Sequence, residues 1–181
     1  MSTDQRGAQV LELPEGVSAT VDGKVLAIKG PLGTAEKDFE RVNVEITAQG
    51  NRLQVVPYRD KKKDRVSAKT ASSIIKNLIF GVTKGYTYKM KVVYAHFPIS
   101  VKVKGETISV ENFIGERSAR TAKIIGRCKI ATEGDDIIIK GISLEDVGQT
   151  AANVEQATKI KRKDQRIFLD GIYVYEKRRG W

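Results

Sequence analysis

Sulfur and imidazole are nearly absent from this chain. Its 181 residues include one cysteine, Cys128, and one histidine, His96. A lone cysteine allows no intramolecular disulfide and suits a reducing, cytosolic setting. No Cys-x-x-Cys, His-Glu-x-x-His or EF-hand pattern occurs, so no structural zinc or calcium site is expected. His96 has no other histidine or cysteine near it in sequence and reads as a structural or solvated side chain, not a catalytic base. Cys128 lies in an alternating apolar segment and reads as core, not nucleophile. Gly81-Val-Thr-Lys84-Gly85 sets a lysine between glycines but lacks the spacing and the Lys-Ser/Thr pair of a phosphate-cradling loop; it reads as a helix stop and a turn. No apolar run approaches the ~20 residues that span a bilayer. Met1–Gly7 has no apolar signal core, so secretion is not expected. These deficits exclude no fold, but they leave no clustered acid–base or nucleophile set for an enzyme, and they call for no cofactor, metal, membrane or small-molecule substrate.

Positive charge is what the chain has in excess. The net charge is +10, which points to an anionic partner, most often nucleic acid. Residues 91–158 balance at nine basic and nine acidic groups, whereas residues 159–181 hold eight basic against three acidic. The basic excess of the second half therefore follows its last expected helix.

The chain also repeats itself. Val17–Gly33 returns as Ile99–Gly115 at an offset of 82 residues, with Val21 on Val103, Gly23 on Gly105, Ile28 on Val110 and Gly33 on Gly115. Apolar rhythm and turn glycines recur together, as a shared backbone requires. Two copies of one domain are expected, residues 1–95 and 96–181, with the boundary at His96-Phe97-Pro98.

Each copy reads as several antiparallel strands, one helix and a further strand, an α+β domain in which a sheet is covered by a helix. In the first copy, strands are expected at Val17–Asp22 and Lys24–Lys29 around a hairpin turn at Asp22-Gly23, then at Val42–Thr47, Leu53–Val56 and Tyr86–Tyr94. Thr34–Asp38 reads as a loop. Ala68, Ala71, Ile75, Leu78 and Ile79 share one face of a helix over Val66–Phe80, with Gly81 as its stop. The second copy is expected to place strands at Ile99–Lys104, Thr107–Glu111, Ala122–Ile125, Arg127–Thr132, Ile137–Lys140 and Ile172–Glu176. Its helix starts at Ser143 and buries Leu144, Val147, Ala151, Val154 and Ala157.

Three groups of cations are candidates for phosphate contact. Lys159, Lys161, Arg162, Lys163 and Arg166 leave the end of the second helix. A helix C-terminus favours one or two cations in any protein; five in eight residues exceed that need. Lys177, Arg178 and Arg179 form a second group, and Arg117, Arg120 and Lys123 a third, in the loop after Gly115. Lys61-Lys62-Lys63 reads equally as a phosphate contact or as a solvated connection.

At Gln156–Lys177 the residues become specific. This stretch, with Val147-Gly-Gln-Thr-Ala-Ala-Asn153, Tyr94-Ala-His-Phe-Pro98, Asn112-Phe-Ile-Gly-Glu116 and Asn77–Gly85, resembles the large-subunit ribosomal protein six family in its archaeal and eukaryotic branch. The resemblance runs from Leu13 to Lys177. It implies two similar α+β domains, a structural role in the cytoplasmic ribosome, and binding to large-subunit ribosomal RNA near the stalk base and the translation-factor site. It implies neighbouring ribosomal proteins as further partners and the second domain as the principal RNA binder. Lys163, Arg166 and Lys177 match basic positions of the family motif. Phe168, Gly171, Ile172 and Tyr173 match it too but read as packing and turn, and Asp170 as an Asx-type turn residue. Arg178-Arg179-Gly-Trp181 is not diagnostic of the family. The alternative reading is an RNA-binding or protein-interaction module outside the ribosome.

Overall fold

The computed structural model describes residues 7–161, 163–164 and 166–181. The chain divides into two units, Met1–Lys84 and Gly85–Trp181. The first unit runs β1 (Gln9–Glu12), β2 (Ser18–Asp22), β3 (Val25–Gly30), β4 (Gly33–Asp38), β5 (Val44–Gln49), β6 (Arg52–Pro57) and α1 (Lys62–Thr83). The second runs β7 (Tyr86–Val93), β8 (Ser100–Lys104), β9 (Thr107–Glu111), β10 (Arg120–Lys123), β11 (Lys129–Glu133), β12 (Asp136–Gly141), α2 (Leu144–Ala157) and β13 (Gly171–Arg179). Every strand pairing is antiparallel, and each unit splits its strands between two sheets: β2-β3-β4 and β1-β6-β5, then β8-β9-β10 and β11-β12-β7-β13. The architecture is thus two tandem α+β domains of one design.

The repeat is visible in register and burial. Asp22 faces Val25 and Lys104 faces Thr107 across two-residue loops that begin with Gly23 (φ 60°) and Gly105 (φ 58°), where a side chain would be strained. From these turns the alternation sends Leu26 and Ile28 inward in one copy, and Ile108 and Val110 in the other; all four are fully buried. Each such side chain contributes about 1.5–3 kcal/mol on burial, so conserving this rhythm conserves the core. The helices bury most of the expected stripes, Ala68, Ala71, Ile75 and Leu78 on α1 and Val147, Ala151 and Val154 on α2, while Ile79, Leu144 and Ala157 at the margins are only half-buried.

Three expectations are corrected and one further strand is found. Thr34–Asp38 is not a loop but most of β4, paired with β3 so that Ala35 is buried opposite Ile28. Gln9–Glu12, too short to show an alternation, forms β1 on the edge of β6. Gly81 does not stop α1: it is buried inside the helix, which runs to Thr83 with Lys84 as its cap, and Gly85 takes the left-handed turn at φ 74°. Finally, Tyr86–Val93 does not close the first copy. It pairs with β12 and β13, as β1 pairs with β6, so it is the opening strand of the second copy. The division accordingly falls after Lys84, not at His96.

Close packing of α1 on β3 depends on Gly30. A Cβ there would lie 2.7 Å from Val82 Cγ2 and 2.8 Å from the Val82 carbonyl oxygen. The carbonyl belongs to the helix backbone and cannot turn aside. Gly30→Ala should therefore cost about 1–3 kcal/mol of unfolding free energy, as overpacking does. Urea denaturation checks this; an unchanged midpoint would show that α1 can shift freely on the sheet.

Candidate nucleic-acid interface

The second unit presents its main cationic segment between α2 and β13. Ser143 Oγ caps α2 by accepting from Asp146 N at 3.2 Å, with Glu145 and Asp146 in the first turn against the positive end of the dipole. At the other end Thr158 is buried and does two jobs. Its hydroxyl donates to Val154 O at 3.1 Å and accepts from Ile172 N at 3.2 Å, joining the helix end to the start of β13. Glu155 Oε1 accepts from Val174 N at 2.9 Å, beside the bulge that interrupts the β13–β7 register between Val174 and Glu176. The connecting segment is pinned at its base by buried Ile160 and at its exit by Asp170. Asp170 does not make the local turn bond expected of it: its Oδ1 accepts from Ala95 N at 2.8 Å, tying the segment to the exit of β7.

Between those pins the cations face outward. Lys159, Lys161, Lys163 and Arg166 are all exposed; Arg162 lies outside the described residues. Lys163 Nζ stands 4.6 Å from the Phe168 ring centroid. Arg166 folds onto Asp164 in an ion pair of 3.2 Å, and its guanidinium holds the Asp164 carboxyl below its ordinary range. Asp164 also orders the turn, with Oδ1 accepting from Arg166 N and its carbonyl from Ile167 N and Phe168 N.

Arg120 serves this segment from below. It sits on β10, not in a loop. Its Nη1 donates to Ala157 O at 3.0 Å and Lys159 O at 3.2 Å, so a side chain from another strand satisfies the carbonyl end of α2. Its Nε and Nη2 donate to the two Glu116 carboxylate oxygens at 2.8 and 2.6 Å, and its guanidinium lies 4.2 Å from the centroid of buried Phe113. The guanidinium donors are thus turned inward, which makes Arg120 a support of the Lys159 backbone and not a free cation. Arg117 and Lys123 remain exposed; the Lys123 carbonyl accepts from Asn153 of α2 at 2.8 Å.

The structure does not bring Lys177, Arg178 and Arg179 to the same place. They occupy the far end of the nine-residue β13, about 25 Å from its start at the usual strand rise. There Lys177 lies 5.4 Å from the Tyr88 ring, and Arg178 shares a cross-strand row with Thr87, Lys140 and Lys129. Lys129 and Lys140 were not singled out in sequence, because only the strand register puts them beside Arg178. Trp181 lies against Gly85, where a Cβ would overlap the indole, and Lys129 Nζ is 5.7 Å from its ring. The tail is held further by Gly180 N donating to Gly85 O and by Thr87 Oγ1 donating to Gly180 O at 2.8 Å. Of the other motif residues, Gly171 and Ile172 are buried, Phe168 is half-buried, and exposed Tyr173 donates its hydroxyl to Leu169 O. Cys128 is half-buried; burial pushes its thiol up, only partly offset by the Thr150 hydroxyl at 3.9 Å. No helix among the described residues is long and apolar enough to cross a membrane.

Comparison with known proteins places this geometry. The family described as ribosomal protein L6 matches residues 13–85 and 97–171. Large ribosomal subunit protein uL6 of Methanosarcina mazei is 46% identical over 170 residues, covering 94% of this chain and 97% of that protein. The uL6 of Aeropyrum pernix is 42% identical over 178 residues, covering 98% of each. That of Archaeoglobus fulgidus is 45% identical over 181 aligned residues, 97% of this chain and 92% of the relative.

The Glu116–Arg120 pair carries a pH signature. Arg120 lowers the Glu116 pKa, chiefly through the hydrogen bonds, so the pair contributes fully above the unfolded carboxylate value of about 4.3 and is lost as pH falls through the lowered folded value. Thermal melts of wild type and Glu116→Gln should therefore differ at pH 7 and converge in acid. Arg120→Lys, which keeps the charge but not the fork of donors, should cost about 1–3 kcal/mol. Equal melting of Arg120→Lys and wild type at pH 7 would deny Arg120 its supporting role.

Proposed function

Because the chain belongs to the ribosomal protein L6 family, we propose that it binds large-subunit ribosomal RNA through the outward cations of its second unit, near the stalk base and the translation-factor site. It is a protein of the large ribosomal subunit, located at the ribosome, and it is not an enzyme. The observation that carries the RNA-binding reading is the segment from Lys159 to Arg166. Its base is fixed by Thr158, Ile160, Asp170 and Arg120, while Lys159, Lys161, Lys163 and Arg166 project into solvent.

The frame fixes where the segment leaves and rejoins the core, so its cations are presented from one place on the unit before the partner arrives. Each phosphate neutralised releases counterions. Arginine grips two phosphate oxygens at once, and lysine acts as a point charge. Arg166 would exchange its Asp164 partner for phosphate, which keeps the turn ordered until then. Recognition rests on the shape of a folded RNA, since the deep groove of an A-form helix does not admit side chains. Lys177, Arg178 and Arg179, with Lys129 and Lys140, form a separate contact at the far end of β13. Exposed Ile167 and Leu169, beside the main segment, suit a neighbouring ribosomal protein or the sugar face of the RNA.

With ~5 phosphates engaged by the second unit, these contacts should contribute about −3.5 to −4.5 to the slope of the logarithm of affinity against the logarithm of salt. Replacing Lys159, Lys161, Lys163 and Arg166 together by glutamine should make that slope shallower by about 3. Filter binding of the full chain to large-subunit RNA across a salt series reads this directly. A slope unmoved by the four substitutions would reject the segment as the contact.

A further inference from the structure

The two helices of the duplicated fold have opposite charge. α1 carries five basic residues and one acidic, Asp64, which is buried; α2 carries three acidic residues and no basic one. Their buried stripes are alike, so the core does not demand the difference. The α1 cations also sit where helix physics disfavours them. Lys61, Lys62 and Lys63 crowd the N-terminal end, which already bears the positive pole of the dipole.

Their arrangement is regular. Lys62, Lys69 and Lys76 repeat every seven residues, so they follow one line on the helix, with successive lysines about 10.5 Å apart. All three are exposed, and among the described residues none has a carboxylate within ion-pair distance. An ordinary solvated helix offsets such lysines with acids three or four places away. Here those places hold Tyr58, Arg59, Arg65, Val66, Ser72, Ser73, Ile79 and Phe80.

We infer that the outward face of α1 is a second docking surface for the phosphate backbone of structured RNA, on the first unit of the chain. The inference rests on the RNA-binding reading given above and extends it to the copy that lacks the cationic segment. A polyanion fits this face better than an acidic protein does. Protein interfaces are built around buried aromatic, aliphatic or arginine anchors. Val66 is the one exposed large apolar residue of α1. Around it stand Ser67, Thr70 and Ser73, whose hydroxyls donate to carbonyls four residues back at 3.0–3.1 Å. Short, self-satisfied side chains between flexible ammonium groups make a low ridge that a sugar–phosphate chain can approach along its length.

The test uses the full chain carrying Lys62→Gln, Lys69→Gln and Lys76→Gln, bound to large-subunit RNA over a salt series. The slope should become shallower by about 2–3, with the thermal midpoint unchanged or raised because like charges have been removed. If the slope stays at the wild-type value while the substitutions at Lys159, Lys161, Lys163 and Arg166 flatten it, the inference fails and the RNA-binding reading stands. If neither set moves it, both fail. A photo-crosslinking residue in place of Ser73, in reconstituted large subunits, should join to RNA. Crosslinks to protein alone, or none, would overturn the assignment, the former in favour of an acidic protein partner.

Discussion

One guanidinium organises the second unit around its cationic segment. Arg120 gathers a carboxylate, two main-chain carbonyls and an aromatic face, and these come from two separate stretches of chain: Phe113 and Glu116, and the end of α2 with Lys159 just beyond it. A lysine in its place offers a point charge and no planar fork. With the helix end held in this way, Thr158 can spend its hydroxyl on β13, and the segment that follows leaves the core at a fixed place. The exposed cations beyond it owe their position to a cation that is itself mostly enclosed.

Duplication lets the surfaces be compared over a constant interior. Leu26 and Ile28 answer to Ile108 and Val110, and Gly23 to Gly105, so the hairpins are interchangeable in their buried parts. The exteriors have moved apart. The second unit has β13 and the cationic segment before it, and its helix is acidic. The first has no strand corresponding to β13 among the described residues, and its helix is basic. Opposite helices on one frame indicate that charge was adjusted independently of folding. Surface charge is the inexpensive variable, since exposed substitutions away from special features change stability little.

Much of this was legible in the residues alone. Strict alternation and a turn glycine gave the β2–β3 and β8–β9 hairpins to within a residue, and 3.6-residue spacing gave the buried faces of both helices. What escaped depends on partners distant in the chain. β1 is four residues long and shows itself only by pairing with β6. Tyr86–Val93 alternates clearly, but alternation does not say which sheet it joins. The same holds for the site. Lys159, Lys161 and Lys163 were visible as a charge run, and they are exposed. Arg120 was visible as a charge, but nothing in its neighbourhood in sequence tells that its donors turn toward Ala157 and Lys159. Lys129 and Lys140 became companions of Arg178 only through a register that no local pattern encodes.

The pairing of β7 with β13 bears on how the chain is made. Every strand pairing of the first unit is made between residues 9 and 57, so its sheets can form while the ribosome is still adding later residues. The second unit begins with the strand at Tyr86–Val93, whose outer edge stays open until Gly171–Arg179 has been synthesised. An unpaired edge of this kind can join strands of other chains. The nascent second unit is therefore the stage at which a chaperone, or any early partner that covers this edge, has the most to protect.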